Sequence, residues 1–164
     1  MKRNQGYSLV ELIVVIAIMA VLTGTVAISV SAVGGFKAKE CTKNIQSYIN
    51  KTRVSTMGKN SVVLHLYKGA DDAFYAQTIT NGTTDAAQQI GKKTVTVKYT
   101  DGDDLTSMSE LDTTGVYIEF DRSSGAMKLP ASGPSIYVHK ITVSQGSKNY
   151  VITIYRETGK VVVE

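Results

Sequence analysis

The stretch Leu12-Ile-Val-Val-Ile-Ala-Ile-Met-Ala-Val-Leu-Thr-Gly-Thr-Val-Ala-Ile-Ser-Val-Ser-Ala-Val33 contains no charged residue. As an α-helix rising about 1.5 Å per residue it would be roughly 33 Å long, enough to cross a hydrocarbon core about 30 Å thick. Its small residues, among them Ala17, Ala20, Gly24, Ala27, Ser29 and Ala32, suit close contact between helices in a bilayer or bundle. Lys2 and Arg3 precede it, and the positive-inside tendency keeps them in the cytoplasm and sends the rest of the chain outward. A buried core helix of a soluble protein is the competing reading.

After Lys37 the sequence has a normal polar mixture, so the average of 43% hydrophobic and 20% charged residues conceals two environments. The 164 residues suit one compact domain plus an anchor. The formal charge of +4 falls to +2 without Lys2 and Arg3, and that surplus is no nucleic-acid footprint by itself. Cys41 is the single cysteine, which excludes an intramolecular disulfide and cysteine-rich metal sites. It reads as a small buried hydrophobe on a helix.

Glu11 stands almost at the start of the apolar run and Gly6 at the junction with the basic leader. An ordinary secretory signal, with Val30-Ser31-Ala32 as its cleavage site, has no reason to carry an intramembrane carboxylate that costs a few kcal/mol unless partnered. The segment Met1-Lys-Arg-Asn-Gln-Gly6 followed by Tyr7-Ser-Leu-Val-Glu11-Leu-Ile-Val-Val-Ile resembles the class III leader of type IV pilins and type II secretion pseudopilins. Tyr7, Ser8 and Ile28 depart from the commoner phenylalanine, threonine and proline without breaking the motif.

The resemblance implies that a prepilin peptidase cuts after Gly6 and N-methylates Tyr7. It implies a leader 1–6, a transmembrane and assembly helix 7–36 and an extracytoplasmic head 37–164. Cleavage would create an α-ammonium at Tyr7 one helical turn before Glu11, where an unpaired charge is expensive. The resemblance gives that ammonium, on a neighbouring subunit, as the assembly partner of Glu11; an intrachain pair is the alternative. Implied partners are the peptidase, other pilin or pseudopilin subunits, the inner-membrane assembly platform and membrane lipid. The implied location is a single pass in the cell membrane, then a filament at the cell surface or in the envelope.

Helical periodicity resumes beyond Gly34-Gly35, a soft point that gives the helix room to bend or locally melt. Cys41, Ile45, Tyr48, Ile49 and Thr52 form one stripe, with Lys37, Lys39, Glu40, Lys43, Lys51 and Arg53 mainly on the other. Gly58 gives a stop signal, so one helix is expected from about Ser8 to Met57. The remainder reads as strands at 61–67, 73–80, 93–99, 115–120, 135–143, 149–155 and 160–163, with 80–91 and 100–114 as polar loops. The expected fold is therefore α+β: a long N-terminal helix, transmembrane then amphipathic, packed on an antiparallel β-sheet head. Element order around Ile118-Glu-Phe-Asp-Arg-Ser-Ser-Gly125 and the terminal hairpin is similar to the H-type minor pseudopilins.

No phosphate loop, zinc-spacing motif or nucleophile elbow occurs, so no catalytic residue, cofactor or metal is expected and the chain is not read as an enzyme. His65 and His139 read as structural. Asp101, Asp103 and Asp104 offer oxygen ligands but lack the glycine and terminal glutamate of a calcium loop. The leading expectation is a structural subunit, a minor one, of a type IV pilus or type II secretion-like pseudopilus. The alternative is a minor pilin whose head captures DNA or serves adhesion, for which Lys92, Lys93, Lys98 and Tyr99 are the candidates.

Overall fold

The computed structural model describes residues 8–58, 60–101, 107–131 and 133–164, with the side chains of 24–34 and of Asp101 outside that description. Among the described residues one helix, α1 (Leu9–Met57), precedes eleven strands. The chain divides into two compact units, Met1–Gly34 and Gly35–Glu164.

In the first unit the described side chains of α1 are exposed and, apart from Glu11 and Thr23, apolar on every face, including Leu9, Leu12, Ile16, Met19 and Leu22. A helix that is hydrophobic all round is one that gets buried, in a large core or in lipid. Among the described residues no helical stretch is both long and apolar enough to cross a membrane; the side-chain description stops at Thr23 and resumes at Gly35. The helix runs through Gly34 and Gly35 without a break, as one element. The cost of about 1 kcal/mol per glycine is too small to stop a helix that continues on both sides.

In the second unit α1 is amphipathic. Ala38, Cys41, Thr42, Ile45, Ile49, Thr52 and Thr56 are buried, at the three- and four-residue steps of one helical face. Thr42 Oγ1 and Thr56 Oγ1 donate to the carbonyls of Ala38 and Thr52, at 2.8 and 2.9 Å, which lets hydroxyls sit on the buried side. Arg53, expected among the solvent-facing cations, is half-buried and its Nε donates to Gly125 O at 3.1 Å. Gly58 N donates to Val54 O where the helix stops.

The strands form two antiparallel sheets, where the sequence suggested a single sheet. The first has β1 (Val62–Lys68) between β2 (Phe74–Thr80) and β7 (Val116–Phe120), with β3 (Thr83–Thr84) and β4 (Gln88–Gly91) on β2 and β8 (Met127–Lys128) on β7. The second runs β11 (Val161–Val163), β10 (Lys148–Ile154), β9 (Val138–Gln145), β5 (Thr96–Asp101), β6 (Met108–Glu110). Alternation selects the inner faces: Val62, Leu64 and Leu66 on β1, Val116, Ile118 and Phe120 on β7, Ile152 and Ile154 on β10. Register brings Leu64 opposite Ile118 and Ile152 opposite Ile141, and one cluster joins both sheets to Ala38, Cys41, Ile45 and Ile49.

Several expected boundaries move. The strand expected at 93–99 begins at Thr96, because 92–95 form a turn closed by Val95 N to Lys92 O at 3.1 Å. The loops expected at 80–91 and 100–114 contain β3, β4, the end of β5 and β6, short polar edge strands with no room for a periodic signal. The strand expected from Ser135 starts at Val138, after a tight turn from Ile136 N to Pro134 O, and extends to Gln145.

Candidate processing and assembly site

Ser8 and Glu11 open α1 as a reciprocal pair. Glu11 N donates to Ser8 Oγ at 3.2 Å, and Ser8 N donates to Glu11 Oε2 at 3.0 Å. This is a capping box, in which hydroxyl and carboxylate each accept a backbone N–H that the first helical turn would leave unpaired. Its signature, a serine three residues before a glutamate and ahead of an apolar run, stands in the sequence, and reading Glu11 only as an unpaired charge missed it. The carboxylate also sits at the positive end of the helix dipole. Gly6 and Tyr7 lie outside the described residues.

The other sequence candidates are dispersed over the head. His65 stacks between Tyr117 and Tyr67, with ring centroids 4.2 and 4.7 Å away, and its Nε2 is 3.0 Å from Thr114 O. Tyr67 stacks in turn on Tyr75, so four rings run across β7, β1 and β2 on the outer face of the first sheet, a cross-strand ladder of a structural kind. His139 is half-buried and lines a cleft at the far side of the second sheet. Lys98 pairs with Glu110 at 3.5 Å, while Lys92 and Lys93 are exposed in the turn before β5. The Asp103 and Asp104 candidates, and the side chain of Asp101, lie outside the described residues. Among the described residues no three metal-ligating side chains cluster.

Cys41 is 1% exposed, and burial, reinforced by Glu40, pushes its thiol up to about 12. A thiol so held is a packing group, since the thiolate is the reactive species.

A helix opened by a capped carboxylate, largely apolar along its first described part and then amphipathic against antiparallel sheets, fits a pilin-like α+β fold. Residues 1–27 match the family model described as the prokaryotic N-terminal methylation motif. That motif is the class III prepilin leader, and it supports placing the chain with the type IV pilins and pseudopilins. The match covers the leader and the opening of α1, Ser8 and Glu11 included, and does not reach the head. No curated protein and no solved structure matches the chain. The motif is one that prepilin peptidase processes.

Proposed function

We propose that this chain is the precursor of a filament subunit, a minor one, of a type IV pilus or type II secretion-like pseudopilus. Prepilin peptidase cuts after Gly6 and methylates Tyr7. The charge-free run Leu12 to Val33 holds the subunit in the membrane with its head outside the cytoplasm, and later packs against other subunits in the filament. The observation that carries this reading is the methylation motif over residues 1–27, set on a helix whose apolar side chains are exposed on every described face. No head-only function accounts for such a surface.

Glu11 is the assembly residue in this account. In the separate subunit its carboxylate is occupied by Ser8 N–H. In the filament it exchanges that neutral donor for the Tyr7 ammonium of a neighbour, a stronger charge-assisted contact in a water-poor setting. Production of the Glu11→Ala variant with a prepilin peptidase and an assembly system tests this. The variant is expected to be processed normally while sheared filament falls about tenfold or more; filament at wild-type yield would remove Glu11 from assembly. On the head, Lys98 is already paired with Glu110, and no observation among the described residues favours the DNA-capture alternative.

A further inference from the structure

At one end of the second sheet, Met127, Tyr137, His139, Tyr155, Arg156, Glu157 and Thr158 line a cleft of about 410 Å³. That volume falls within the range of about 300–1,000 Å³ typical of small-ligand sites. One wall is the turn between β10 and β11, and it is fixed from several sides. Gly159 N and Thr158 N both donate to Tyr155 O, Tyr155 N donates to Lys160 O, and Met127 N donates to Arg156 O at 2.8 Å. The Arg156 guanidinium lies 3.9 Å over the Tyr137 ring, which holds its plane in place. A preformed wall spares a ligand the ordering cost of its site.

The lining says what class of ligand fits. It carries one cation, Arg156, and one carboxylate, Glu157, so no net charge selects an anion or a cation. Tyr155, 48% exposed, offers an unburied aromatic surface, and Met127 adds apolar contact. Donors and acceptors of both kinds surround that surface on Arg156, Glu157, Thr158 and His139. A neutral ring with one apolar face and a rim of hydroxyls meets all of these demands together. We propose that this cleft is a saccharide site, taking a neutral mono- or disaccharide with its apolar face on Tyr155 and its hydroxyls on Arg156, Glu157 and Thr158. The proposal depends on the head alone and stands or falls separately from the filament reading.

The test uses the full chain in phospholipid nanodiscs, free of sugar-based detergent. It is titrated with glucose, galactose, N-acetylglucosamine, cellobiose, lactose and chitobiose, and separately with inorganic phosphate, while amide resonances of 155–159 are followed by NMR. At least one sugar is expected to shift them with a Kd of about 1 mM or tighter. Tyr155→Ala is expected to weaken binding about tenfold or more, and Tyr155→Phe, which keeps the ring, by less than about threefold. Tyr75→Ala, on the outer face of the other sheet, serves as the control and leaves binding unchanged. No binding across the sugar panel, binding by phosphate alone, or sugar binding indifferent to Tyr155→Ala would each overturn the proposal.

Discussion

Cys41 lies under the sheets with its thiol pushed up to about 12, and burial is the main cause. An unfolded thiol ionises near its ordinary value of 9.0, so the folded state binds more protons than the unfolded state between those values. Its contribution to stability is full below pH 9.0 and is lost as the pH rises toward about 12. Iodoacetamide at neutral pH should leave Cys41 unmodified in the folded protein and label it fully in denaturant; rapid labelling of the folded form would show that the core is open there. Gly159 is fixed by a different constraint. Its φ of 62° is left-handed, and a Cβ there would collide with the Gly125 carbonyl oxygen, where the β7–β8 and β10–β11 turns touch. Gly159→Ala combines backbone strain with that collision and should cost about 2 kcal/mol or more in urea unfolding of the full chain. A loss below about 0.5 kcal/mol would mean the two turns do not pack as described.

The connection between β8 and β9 joins the two sheets, and at Ala131 it lies against the outer side of β7. Glu119 holds it: this largely buried carboxylate pairs with Lys128 Nζ at 3.2 Å and accepts Ala131 N–H at 3.2 Å. Removal of the carboxylate by Glu119→Ala strands the Ala131 N–H and should cost about 1–3 kcal/mol, with faster amide exchange confined to 129–137. Unchanged exchange there would show that the segment is held by other contacts. Little of this was legible beforehand. Glu119 reads as the polar half of an alternating strand, and only the tertiary path of 129–137 turns an outward-facing position into a buried one. Long elements with a strong period were legible: α1 ends at the expected Met57, and β1, β2, β7 and β10 lie where alternation put them. The short strands β3, β4, β6 and β8 were not, because two to four residues carry no periodic signal.

At the scale of the whole molecule, the sequence separated an anchor-like segment from a head, and its α+β class holds. Two sheets took the place of one because nothing local distinguishes a strand that continues a sheet from one that crosses to another. The leader motif was legible, because Gly6, Tyr7, Ser8 and Glu11 lie within a few residues of one another and the motif depends on that spacing. The Ser8–Glu11 cap was present in the same letters but was overlooked for the more conspicuous charge. The cleft around Tyr155 could not be read, since Met127, Tyr137 and Arg156 meet only when the two sheets are folded. The central claim concerns what happens to the first residues of the chain. Intact-mass and N-terminal peptide analysis of the membrane-extracted protein, made with and without a prepilin peptidase, tests it most directly. The account predicts a peptidase-dependent chain that begins at N-methylated Tyr7; a chain that begins near Val33, or one unchanged by the peptidase, would contradict it.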